Sequence, residues 1–207
     1  MIDKITAYLI QAYNPKAILM HGSRVRGDYV PTSDYDLVLV KSDPKKITPH
    51  TYNGCSLDVY GIDLNEQIIE TSGHVPIWPI EILFDDGDTI ASKLCEQTHA
   101  KFLQKPNPLT NEEWDNRFNY TKRLLDRIIN RGENPMVRNY YLGDFYERTV
   151  RYWFEKNCKW TVSFYRALPI IEKQDADFYN DLKQLWSEDY LKSAQGLFEK
   201  IFSSDNF

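Results

Sequence analysis

Between Ala17 and Val40 the chain runs through an order of residues that few folds accommodate. An apolar segment, Ala17 to Met20, meets Gly22-Ser23; a polar stretch with Arg24 and Arg26 follows; then Ser33-Asp34-Tyr35-Asp36 leads into a second apolar segment, Leu37 to Val40. Short apolar runs bounded by turn signals read as buried strands. Residues two apart on a strand share a face, so Asp34 and Asp36 are expected to project together from one end of a sheet. Adjacent carboxylates repel unless a cation lies between them. Such oxygen ligands suit Mg²⁺, which takes one or two carboxylates and fills its octahedron with substrate phosphates and water. Gly22 permits a close backbone approach, and a Gly-Ser turn opening a polar segment is a place to hold phosphate.

A further acid stands on the next strand-like segment. In Ser56-Leu57-Asp58-Val59-Tyr60 the alternation puts Asp58 opposite Leu57 and Val59, where it is either a solvent-facing strand residue or a third member of the acidic group.

These residues resemble the nucleotidyltransferase superfamily typified by DNA polymerase beta, and within it the minimal branch that includes the aminoglycoside and lincosamide nucleotidyltransferases. The resemblance rests on His21 to Val40, with Gly22-Ser23, Arg26-Gly27 and Ser33 in the places where that motif carries them. It implies an α+β protein: a nucleotidyltransferase fold, a mixed sheet with flanking helices, followed by a helical bundle. It also favours Asp58 as the third acid, since that family places a carboxylate on the strand after Asp-x-Asp. The implied reaction is Mg²⁺-dependent transfer of a nucleoside monophosphate, AMP from ATP, to a hydroxyl of a small-molecule acceptor such as an antibiotic, with pyrophosphate released. A protein acceptor, as in antitoxins of this superfamily, and a nucleotide-binding module without turnover are the alternatives.

In that reading Asp34, Asp36 and Asp58 are both the ligands of two metal ions and the catalytic acids. Gly22 and Ser23 face the triphosphate. Arg24, Arg26 and Ser33 either reach phosphate or are simply solvated. Lys159 is either a triphosphate contact or a surface lysine lying along apolar neighbours. Asp144 and Glu147, one helical turn apart, form either a solvated face or an acceptor-side base. No role is assigned to His21, His50, His74 or His99, which lack metal-ligand spacing.

Composition narrows the partners. The 207 residues carry a net charge of −5, which argues against general nucleic-acid binding because phosphate neutralisation needs a basic field. Cys55, Cys95 and Cys158 are too far apart for a zinc site or a disulfide framework. The first residues lack a basic-apolar leader, and no apolar run is long enough to span a bilayer, so a cytoplasmic protein without a membrane partner is expected. A homo-oligomer is compatible with the pattern.

The remaining chain supplies a frame. Ile2, Ile5, Leu9 and Ala12 recur at helical spacing before Asn14-Pro15. Lys41 to Gly54 reads as a loop or hairpin, Asp63 with Glu66 as a cap for a helix over 64–71, and Pro79 to Phe84 as a strand. Asp85-Asp86-Gly87-Asp88 then reads as a solvated turn capping a helix over Ile90 to Leu103. Lys105-Pro106-Asn107-Pro108 is the clearest linker, placing a nucleotidyltransferase domain at 1–105 and a helical, acceptor-side domain at 106–207. Beyond it Thr110 and Glu113 form a capping box, and helices are predicted at 110–131, Met136 to Lys156, Lys159 to Glu172, Phe178 to Leu185 and Tyr190 to Phe202.

Overall fold

The structure is a computed structural model that describes residues 1–43, 47, 50–63 and 77–203. The backbone divides into two compact units, Met1–Gln104 and Lys105–Phe207.

The first unit opens with helix α1, Ile2–Tyr13, closed by Asn14 in the left-handed region, whose N–H donates to Ile10 O. Strand β1, Ala17–His21, follows, then the short helix α2, Gly22–Arg26, and strand β2, Tyr35–Val40. Strands β3, His50–Tyr52, and β4, Cys55–Ile62, form a hairpin. Its two-residue turn, Asn53-Gly54, has positive φ at both positions, the backbone that Asn-Gly accepts readily and that matches strand twist. Strand β5, Glu81–Asp85, leads to helix α3, Ile90–Leu103. The strands lie in the order β3-β4-β2-β1-β5, with β2 and β4 parallel and the other pairs antiparallel, so the sheet is mixed.

Alternation then sorts side chains to two cores. Ile18, Met20, Tyr35, Leu37, Leu39, Leu57 and Val59 pack with Ile5 and Leu9 of α1. Ala17, Leu19, Val38, Val40 and Ile62 pack on the opposite face with Ala91 and Leu94 of α3. The rows that feed the second core begin with polar residues: Asp34 and Asp36 precede Val38 and Val40, and Asp58 precedes Ile62. Apolar burial of both faces therefore fixes the register, and register fixes where the acids emerge.

The acidic turn caps α3 through Asp85, whose Oδ2 accepts from the Ala91 N–H at 3.2 Å. Asp86 pairs with Lys16. The strand expected from Pro79 begins two residues later, at Glu81. The helix expected over 64–71 lies outside the described residues.

The second unit contains, among its described residues, helices α4, Asn111–Arg131; α5, Pro135–Lys156; α6, Phe164–Gln174; α7, Ala176–Gln184; and α8, Tyr190–Phe202. Thr110 and Glu113 cap α4 reciprocally, and Asn134 caps α5 with Pro135 in its first turn. The core gathers Leu124, Ile128, Phe145, Phe154, Phe178, Leu197 and their neighbours. One expected helix is corrected: Lys159 does not begin it. Cys158 takes a left-handed φ of 48°, the Lys159 N–H closes back on Phe154 O, and the chain stays non-helical until Ser163, whose carbonyl accepts from Arg166 and Ala167. Thr161 and Val162, both β-branched, favour the extended backbone that separates α5 from α6. Among the described residues no helix is long and apolar enough to cross a membrane.

Candidate active site

At the end of β1 the backbone turns at Gly22, where φ is +76°. A Cβ built there would overlap the Asp36 carboxylate. Glycine is thus demanded twice, by backbone conformation and by space, and the group approaching it is an acid of the protein itself. Helix α2 then makes little more than one turn and ends at Gly27, φ +84°, whose N–H donates to Ser23 O.

The return from α2 to the sheet is held from both ends. The Val30 N–H donates to Ser33 Oγ at 3.0 Å, and the Ser33 N–H donates to Val30 O at 2.9 Å. Arg24 donates from Nε to Asp34 O at 2.9 Å and from Nη2 to Ser33 O. Its guanidinium lies 3.8 Å from the Tyr35 ring centroid and 5.1 Å from that of Tyr29. A planar fork suits two successive carbonyls, and its flat face suits an aromatic ring. Arg24 is therefore committed to the loop, a use that the sequence reading missed. Arg26 pairs with Asp28, its Nε 3.3 Å from a carboxylate oxygen.

Asp34 stands just before β2, and Asp36 lies in register with Asp58 on the parallel neighbour β4. The structure brings one carboxylate oxygen from each of Asp34, Asp36 and Asp58 within 4.8 Å of the others. Three acids so close repel, and a divalent cation relieves that repulsion while accepting hard oxygen ligands. All three reach solvent at least in part, so water and phosphate oxygens have access to the same place. The donor set fits Mg²⁺ or Mn²⁺ better than a softer metal.

His21 was not singled out by sequence, and it is the register partner of Asp36 on β1. Its ring meets that of Tyr60 edge-on, centroids 6.0 Å apart. Burial, helped by the charge of Arg26, pulls its pKa down to about 4. Its Nε2 has no hydrogen-bond partner among the described residues. The available signal was alternation: Ala17, Leu19 and His21 share the face that carries Asp36.

Over residues 2–123 the chain matches the family described as Nucleotidyltransferase domain. The chain belongs to the nucleotidyltransferase family. A solved structure of a nucleotidyltransferase-like protein from Exiguobacterium sibiricum is similar in fold, with a TM-score of 0.51 at 14% identity over 97% of this chain and 74% of that one. No curated protein matches the chain. Transfer of a nucleotide is the activity this family membership supports, and a divalent metal is its usual cofactor.

The other residues marked by sequence lie in the second unit. The Lys159 ammonium donates to Gln174 Oε1 and sits 4.8 Å from the Trp153 ring centroid. Asp144 accepts from Arg148 Nε at 2.7 Å and from the Tyr120 hydroxyl at 3.0 Å. Glu147, three residues on, is exposed.

Proposed function

We propose that this nucleotidyltransferase moves a nucleoside monophosphate, AMP from ATP, onto a hydroxyl of a small-molecule acceptor, with Mg²⁺ held by Asp34, Asp36 and Asp58. The single observation that carries the reading is the convergence of those carboxylates, one oxygen from each within 4.8 Å, at the strand ends of a family member. The net charge of −5 supports a small acceptor over a polynucleotide. Bound there, a divalent cation neutralises the triphosphate and acidifies a hydroxyl placed beside it.

The chain's own part follows from its geometry. The acceptor oxygen forms a bond to the α-phosphorus, the bond from that phosphorus to the α,β-bridging oxygen breaks, and pyrophosphate leaves with the electron pair. Asp58, exposed at the outer member of the acidic pair on β2 and β4, takes the hydroxyl proton. Asp34 and Asp36 hold charge and position, the terms that dominate phosphoryl chemistry. Gly22 and Ser23 at the start of α2, with Arg26 and Ser33, line the triphosphate side. Lys159 is proposed as a further triphosphate contact, and Asp144 or Glu147 as acceptor-side groups.

The test supplies each nucleoside triphosphate, labelled at the α-phosphate, with a panel of polyhydroxylated small molecules and Mg²⁺. Label should move from ATP to an acceptor with equimolar pyrophosphate. Asp58→Asn should keep nucleotide binding while lowering transfer at least about a hundredfold. Transfer at an unchanged rate in Asp58→Asn would remove that residue from the mechanism.

A further inference from the structure

Arg24 lies inside the motif, and an arginine there is most simply assigned to phosphate. Its geometry leads elsewhere. Nε and Nη2 are directed at two consecutive carbonyls, Asp34 O and Ser33 O. The Tyr35 ring, buried in the α1-side core, lies 3.8 Å from the guanidinium carbon, and the exposed Tyr29 ring lies 5.1 Å from it. Asp34 is the one acid of the group that precedes its strand, so no strand ladder fixes its backbone as β2 and β4 fix Asp36 and Asp58. The turn that carries it is closed by the Val30–Ser33 bonds at one end and by Arg24 at the other.

We infer that Arg24 is a positioning residue which, by clamping the carbonyls of Ser33 and Asp34, holds the Asp34 carboxylate in the group and so sets the protein's affinity for a divalent cation. This rests on the reading that Asp34, Asp36 and Asp58 bind such a cation. The physical cause is preorganisation. Without the clamp, Asp34 must be ordered when the ion binds, and that ordering is subtracted from affinity. Lysine cannot substitute, because an ammonium can neither bridge two carbonyls in a plane nor stack on Tyr35 in the same way.

The experiment titrates Mn²⁺ into the full chain without nucleotide, following free Mn²⁺ by electron paramagnetic resonance, so that no phosphate contact contributes. Wild type should bind, and Asp36→Asn should abolish tight binding. Arg24→Lys should weaken Mn²⁺ about tenfold although Arg24 touches none of the proposed ligand oxygens. In the background of Asp34→Asn, Arg24→Lys should cost nothing more, because the two act through one group. Tyr29→Ala removes one stacking partner at an exposed position and tests the same clamp without endangering the fold; a weakening of two- to fourfold is expected. Unchanged Mn²⁺ affinity in Arg24→Lys, or equal losses with and without Asp34, overturns the clamp while leaving the metal site intact. Should Arg24→Lys fail to fold, unchanged affinity in Tyr29→Ala overturns it instead. Absence of Mn²⁺ binding in wild type overturns the metal reading and the clamp with it.

Discussion

Gly22 separates two reasons for a glycine in this motif. Sequence suggests room for phosphate; the structure adds that the room adjoins Asp36, whose carboxylate a methyl group would displace. Gly22→Ala should therefore lower stability by about 1–2 kcal/mol for the left-handed backbone alone. It should also lose most of the Mg²⁺-dependent rise in Tm on adding ATP, a loss that backbone strain by itself does not predict. Denaturant melts without ligand measure the first part and thermal melts with and without Mg²⁺-ATP the second, and retention of the full metal-dependent shift would show that Asp36 does not need the space. His21 makes a second prediction. Its folded pKa of about 4 lies below the value near 6.5 of an unperturbed imidazole, so between those values the unfolded chain binds more protons. Stability should accordingly rise with pH through that window and be lost as pH falls toward 4, by up to ~3 kcal/mol from this group. Urea melts from pH 4 to 7 without divalent cation should show a shallower slope in His21→Gln, whereas superimposable profiles would remove His21 as the cause. Period-two alternation made Asp34 and Asp36 readable as a pair, while Asp58 joined them only through the family resemblance. Arg24 was not readable, because its partners are main-chain carbonyls, which leave no signature in side-chain type.

At the level of elements, what sequence conveyed best was burial pattern. The two apolar runs around Gly22-Ser23 are strands, Asn53-Gly54 is a hairpin turn, and the Thr110–Glu113 box starts α4, since each is specified by residues close in the chain. The juxtaposition of Asp36 with Asp58 needed more, namely that β4 pair with β2 in parallel, with β3 placed outside it. The Asn53-Gly54 hairpin accounts for β3 beside β4, but the parallel pairing of β4 with β2 joins segments separated by a longer connection, and no local residue pattern dictates it. The start of α6 was misread for the opposite reason. Helical spacing of apolar residues continues from Trp160, but a left-handed Cys158 and two β-branched residues interrupt the backbone. In the same region Asp175 joins elements in a way that sequence did not convey. Its Oδ1 accepts from the Phe178 N–H at 3.1 Å, capping α7, and its Oδ2 accepts from Trp153 Nε1 of α5 at 3.0 Å. Asp175→Ala removes a cap and leaves a buried indole donor without its partner, at a combined cost of roughly 2–3 kcal/mol. A urea melt within about 0.5 kcal/mol of wild type would mean that water replaces both bonds.

Across the whole molecule, chemistry and bulk are divided. The first unit carries the acid group on a sheet buried on both faces, and the second is a helical unit with its own core. The family match runs to residue 123, inside α4, so the similarity does not stop at the linker. Local strength of pattern explains why the fold class was legible: alternation before residue 105 and helical spacing after it are separated by Lys105-Pro106-Asn107-Pro108. The acceptor was not legible, because in sequence an aromatic residue reads equally as core or as ligand lining, and Phe145 and Phe154 are consumed by the helical core. The central claim, that Asp34, Asp36 and Asp58 together hold the divalent cation of a nucleotidyl transfer, is tested most directly by anomalous diffraction. Crystals grown with Mn²⁺ and a non-hydrolysable ATP analogue should give an anomalous peak within coordination distance, about 2.0–2.3 Å, of oxygens from all three carboxylates, with the analogue's phosphates completing the ligand shell. Mn²⁺ bound only through the analogue's phosphates, or an analogue seated away from these acids, would contradict the account.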